Sequence, residues 1–98
     1  MNIRIDTPFF KQQAKEIEPL IPRHYSGIVR HYLPEMTTSH IQTVKKGYVA
    51  DWLTHCVLAF IAKTKTRIPA NIELDLPNGI LYEDVVIEEV IIEKRFVN

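Results

Sequence analysis

Apolar positions recur at helical spacing through the first two thirds of the chain and, beyond Pro69, at every second position from Ile72 to Leu76. Phe10, Ala14 and Ile17, with Leu20 one step further, predict a first helix. Asp6 or Thr7 suits its cap, and Pro8 suits its first turn, where a missing N–H has no intrahelical partner to lose. Pro22 ends it near Leu20. Asn2 to Ile5 reads as a short extended lead-in. A second helix starts around Pro22 or Arg23, with Tyr25, Ile28, Val29 and Tyr32 on its apolar side, and Leu33-Pro34-Glu35 breaks it. Thr37 suits the cap of a third helix running from Thr38 to about Lys46. Gly47 fits a left-handed stop. A fourth helix follows from about Val49 to Lys63. Val49, Trp52, Leu53, Cys56, Val57, Phe60 and Ile61 form its stripe, and Leu58 and Ala59 extend the apolar surface nearly all round. Such a helix needs cover on more than one side, and a partner subunit is one candidate.

Beyond Pro69 the period changes. Ile72-Glu73-Leu74-Asp75-Leu76 alternates as a half-buried strand does. Pro77-Asn78-Gly79 reads as a hairpin turn, and Ile80 to Tyr82 continues as a second strand. Val85 to Ile92 does not alternate cleanly but is dense in β-branched residues and predicts a further strand, with Asp84 marking a bend or bulge. The expected fold class is therefore mainly α with a C-terminal β-hairpin (α+β), with four or five helices followed by two or three antiparallel strands. Residues 1–67 would form the helical part. Residues 68–98 would form a β extension packed on the same domain or on a dimer partner.

The chain has 98 residues, 46% of them apolar, which suits one domain with a folded core. No apolar run is long enough for a membrane span, and the N-terminus lacks the pattern of a signal peptide. Cys56 is the single cysteine, so an internal disulfide is excluded and a reducing cytoplasm is the simplest setting. The net charge is zero, but its distribution is uneven. Residues 1–67 carry ten Lys/Arg against five acids, and residues 68–98 carry two against seven. This predicts a basic binding part and an acidic part facing elsewhere.

Catalytic and cofactor chemistry find little support. His24, His31, His40, His55 and Cys56 include no close ligand pair, so no metal site is expected. Cys56 reads as a small buried apolar residue. Glu88 and Glu89 are adjacent and would point to opposite faces of a strand. Ser26, His24 and Asp51 form no triad signature, and no glycine-rich phosphate loop is present. The expectation is no enzyme, no cofactor, no metal and no small-molecule substrate.

The third helix carries the most informative pattern. Ile41 and Val44 lie three apart and face a core, which leaves Thr38, Ser39, Gln42, Thr43 and Lys46 outside. That face has hydrogen-bonding groups and no carboxylate to repel a duplex. Gln42 has an amide that pairs with adenine N7 and N6 together. Thr43 suits a thymine methyl or a hydrogen bond. Thr38 and Ser39 lie at the positive end of the helix dipole, where a phosphate is favoured. Lys45, Lys46, Arg23 and Arg30 supply charge for the backbone, giving about four to six phosphate contacts per subunit and a steep salt dependence. His40 reads either as a phosphate contact or as simply exposed. Tyr25 and Trp52 read as core.

The entry Leu20-Ile21-Pro22-Arg23-His24-Tyr25 and the pattern Ile41-x-x-Val44-x-x-Gly47 resemble the helix-turn-helix DNA-binding domain of the lambda-repressor/Cro type. The resemblance spans roughly residues 20–62. Val29 stands where that family has a small residue, and Pro34-Glu35 where it has a glycine, with a longer turn. The resemblance implies Ile41 and Val44 as core positions of the recognition helix. It implies Thr38, Ser39, Gln42, Thr43 and Lys46 as groove-facing positions. More loosely, the tail resembles the strands through which Cro-type proteins dimerise. The expected function is a small sequence-specific regulator of phage or bacterial type that binds double-stranded DNA as a homodimer. Two-fold pairing doubles the contacts of a helix that alone reads few base pairs. The alternative is a protein-interaction module of antitoxin or anti-repressor type, using the acidic C-terminal strands to pair with a partner's edge strand.

Overall fold

The computed structural model describes residues 7–91. The expected lead-in at Asn2 to Ile5, the Asp6 cap and Ile92 lie outside the described residues. The elements are α1 (Thr7–Ile17), a 3-10 turn (Glu18–Leu20), α2 (Tyr25–Tyr32), α3 (Thr38–Lys45), α4 (Trp52–Ile61), β1 (Thr66–Pro69), the single turn α5 (Tyr82–Val85) and β2 (Val86–Val90). The protein is mainly helical, with a C-terminal two-stranded sheet.

α4 is the hub. Cys56, Val57, Leu58 and Ala59 are fully buried, and α1, α2, α3, β1 and α5 all pack against the helix. The cover that its apolar circumference demands therefore comes from its own chain, and no partner subunit is required for it. Phe10 of α1 sets its ring edge-on to Trp52 at 4.8 Å between centroids. Val29 of α2 and Ile41 and Val44 of α3 close the other sides with no exposure. Val49, expected on the α4 stripe, precedes the helix and is exposed.

A buried polar chain ties three elements together. His55 Nε2 of α4 lies 2.7 Å from Thr66 Oγ1 of β1. The Thr66 hydroxyl donates to Gln13 Oε1 of α1 at 3.3 Å, and Gln13 Oε1 also accepts the Arg67 N–H at 3.1 Å. Pairing along the chain offsets the burial of these groups, while His55 Nδ1 has no hydrogen-bond partner among the described residues.

The C-terminal part departs from expectation in three ways. β1 and β2 run parallel, not antiparallel. Residues 70–85 form the crossover that a parallel pair requires in place of a tight hairpin. Second, Pro77-Asn78-Gly79 does turn the chain, with Ile80 N–H donating to Pro77 O at 3.2 Å. Only Gly79 has a positive φ (+97°), and Asn78 does not. That is the pattern of a type II turn, whereas a two-residue type I′ hairpin needs positive φ at both central residues. Third, Ile72, Leu74 and Leu76 are half-buried while Glu73 and Asp75 are exposed, yet this segment belongs to no strand. The alternation reports one-sided burial of a segment that has no ladder partner among the described residues. Ile80 to Tyr82 is likewise not a strand, and Tyr82 and Asp84 lie in α5. The irregularity in the last strand falls between Val86 and Glu88, opposite the Thr66/Arg67 step of β1.

Candidate nucleic-acid interface

α3 is fixed at both ends and along one side. Thr37 caps it, its Oγ1 accepting the His40 N–H at 3.1 Å. Its C-terminus closes as a Schellman turn, with Tyr48 N–H donating to Thr43 O at 2.9 Å and Gly47 N–H to Val44 O at 3.0 Å. Gly47 takes φ +82° there. A Cβ at Gly47 would meet Lys11 Cγ at 3.1 Å and Lys11 Cα at 3.3 Å, so close approach also demands glycine.

His40 links α3 to α4. Its Nε2–H donates to Asp51 Oδ2 at 2.7 Å. Asp51 is also the cap of α4, accepting from Thr54 N–H at 3.2 Å and Thr54 Oγ1 at 2.7 Å. Burial opposes the Asp51 charge, but the hydrogen bonds from His40 and Thr54 outweigh it and hold the carboxyl below its usual range. His40 is thus a positioning residue, held half-buried with its ring committed to Asp51.

Of the side chains singled out on α3, Thr38, Ser39, Gln42 and Lys46 are exposed. Their spacing of i, i+1, i+4 and i+8 sets them on one face, opposite Ile41 and Val44. Two others take internal partners. The Thr43 hydroxyl donates to His40 O at 2.7 Å. Lys45 Nζ lies 3.7 Å from Glu18 Oε2 and 4.9 Å from the centre of the Tyr25 ring. Arg23, just before α2, and Arg30, in its last turn, are exposed. Neither forms an ion pair among the described residues.

Two side chains without a local sequence signal also meet at the end of α3. Tyr48 is 67% exposed. Lys11, exposed on α1, brings its Nζ to 5.9 Å from the Tyr48 ring centre. Only the small residues Ala14 and Gly47 in the contact hint that α1 and the end of α3 approach so closely.

Other chemistry is sparse. No group of three or more His, Cys, Asp or Glu side chains is arranged to hold a metal among the described residues. Burial pushes the Cys56 thiol up to about 12, so the thiolate nucleophile is not populated at neutral pH. An open groove of about 500 Å³ between α2, α4 and α5 is lined by Tyr32, Phe60, Ile61, Lys63 and Asp84 among others. No described helix is long and apolar enough to cross a membrane. Comparison with protein-family models, curated proteins and solved structures returns no match to this chain.

Proposed function

We propose that this protein is a small sequence-specific DNA-binding regulator whose α2–turn–α3 unit acts as a helix-turn-helix of the lambda-repressor/Cro type, with α3 in the major groove. The observation that carries the reading is the free polar face of α3. Thr38, Ser39, Gln42 and Lys46 are exposed together, while fully buried Ile41 and Val44 anchor the opposite side. A reading helix must be rigid behind and open in front, and α3 has no carboxylate on it. Gln42 is the base reader, and Thr38 and Ser39 at the helix start favour a phosphate. Lys46, Arg23 and Arg30 supply the cationic contacts. Lys45, paired with Glu18, contributes less, so these three cations contribute about −3 per protomer to the slope of log affinity against log salt.

The protein acts as a homodimer in this reading, because one short helix contacts too few base pairs for specificity. Selection from random duplexes followed by titration of two variants tests it. Gln42→Ala is expected to relax preference at one base position, at a cost of about 1–3 kcal/mol. Lys46→Ala is expected to weaken all duplexes alike and to flatten the salt slope by about 0.9 per protomer. Failure of every duplex to enrich would sink the proposal.

A protein-interaction role for the acidic tail is the second reading, and β2 is the observation that favours it. Ile87 and Ile91 are 55% and 80% exposed beside Glu88 and Glu89. An apolar, uncovered strand invites another chain. A strictly monomeric protein with no duplex preference would move the balance to this module.

A further inference from the structure

The last residue of a Schellman turn ordinarily packs back onto the helix it closes. Tyr48 holds that position and is instead 67% exposed. Its neighbour is a cation: Lys11 Nζ stands 5.9 Å from the ring centre. The stem of Lys11 is pinned there, because the absent Cβ of Gly47 leaves room for Lys11 Cγ and Cα and for little else. Lys46 is exposed at the same end of the helix. None of these groups meets a carboxylate among the described residues, and Glu18 is taken by Lys45.

Three potential donors thus belong to one end of α3: the Lys11 ammonium and Tyr48, which are neighbours, and Lys46, exposed at the C-terminal cap. Thr38 and Ser39 mark the other end. An eight-residue helix spans about 12 Å, and the major groove is about 12 Å wide. A helix of that length set across the groove presents its two ends to the two phosphate ridges. Lys and Tyr are common phosphate donors, and such contacts fix register without reading sequence.

We infer that Lys11 and Tyr48 form a second backbone grip, by which α1 and the turn after α3 hold one phosphate ridge of duplex DNA while α3 reads the groove. The inference rests on the DNA-binding reading above and extends it to an element, α1, outside the helix pair.

Fluorescence anisotropy of labelled duplexes across a salt series tests it. Lys11→Gln keeps most of the stem against Gly47 and removes the charge. It is expected to flatten the slope of log affinity against log salt by about 0.9 per protomer, equally for every duplex. Lys11→Arg is expected to keep the wild-type slope, whereas a purely structural role in packing on Gly47 would keep that slope in Lys11→Gln as well. Tyr48→Phe is expected to keep the slope and to lower affinity about tenfold for all duplexes, through loss of one charge-assisted hydrogen bond. A wild-type slope in Lys11→Gln, with duplex binding intact, overturns this grip and leaves the reading of α3 standing. Wild-type protein that shows no salt-dependent duplex binding overturns both.

Discussion

Burial pushes the His55 imidazole from 6.5 down to about 4, against the opposing pull of the Asp51 charge. In the unfolded chain His55 takes up a proton as pH falls through 6.5, whereas in the folded protein it does so only near 4. Acid therefore favours the unfolded state across this window. Stability is fully present above pH 6.5 and falls as pH drops toward 4, by at most about 3 kcal/mol from this group. Urea midpoints at the two ends of the window should show that loss, and His55→Gln should largely abolish it while keeping a partner for Thr66. An equal acid loss in the variant would assign the effect elsewhere. Asp51, whose folded value is depressed, adds its own loss only below 3.8. The same scale decides how much of the candidate interface was legible in the sequence. Thr38, Ser39, Gln42 and Lys46 follow from the spacing of Ile41 and Val44 alone. Thr43 and Lys45 do not, because backbone geometry turns the Thr43 hydroxyl inward and Glu18 and Tyr25 reach Lys45 from elements far earlier in the chain.

Two helices end in the same hydrogen-bonded turn with different residues at its left-handed position. α3 uses Gly47 at φ +82°, and α4 uses Lys63 at φ +58°, with Lys63 N–H donating to Phe60 O and Thr64 N–H to Ala59 O. An L-residue in that conformation costs about 1–2 kcal/mol relative to its right-handed alternative. Lys63→Gly is therefore expected to stabilise the protein by about 0.5–1 kcal/mol, after the extra unfolded-state freedom of glycine is counted. Gly47→Ala should destabilise by more than about 1 kcal/mol, because it adds a clash with Lys11 to the same backbone cost. Thermal melts of the two variants should shift in opposite directions, and a shift of the same sign in both would contradict this account. Helix positions were readable because a 3.6-residue period and a cap are local properties. Strand pairing was not, since the alternation at 72–76 specifies a buried side but no neighbour. The turn at Asn78-Gly79 specifies a reversal, but φ at Asn78 decides whether it can close a hairpin. β1 at Thr66–Pro69 carried no pattern of its own, and its place is set by Gln13, His55 and β2.

Across the described residues beyond position 68, the acids Glu73, Asp75, Glu83, Asp84, Glu88 and Glu89 are exposed on the crossover, α5 and β2. Part of their charge is neutralised locally, where Arg67 Nε donates to Glu88 Oε1 at 2.9 Å. Tyr82 hydrogen-bonds Glu89, and partial burial together with that carboxylate pushes its phenol up to about 12. Among the described residues of this part, the exposed large apolar side chains are Leu81, Tyr82, Ile87 and Ile91. α4, by contrast, is covered on most sides by its own chain, with Leu53, Phe60 and Ile61 half-buried. A homodimer that doubles the reading helices therefore has β2 as its best surface, since burying Ile87 and Ile91 on association gains about 25 cal/mol for each Å² of apolar area removed from water. Ile87→Lys and Ile91→Lys change exposed positions, so their melting temperatures should stay near the wild type. Sedimentation equilibrium should show the wild type as a dimer and the double variant as a monomer. Duplexes with two half-sites should then lose their advantage over single half-sites in the double variant, while base preference within a half-site, set by Gln42, persists. A double variant that remains dimeric would exclude β2 as the interface.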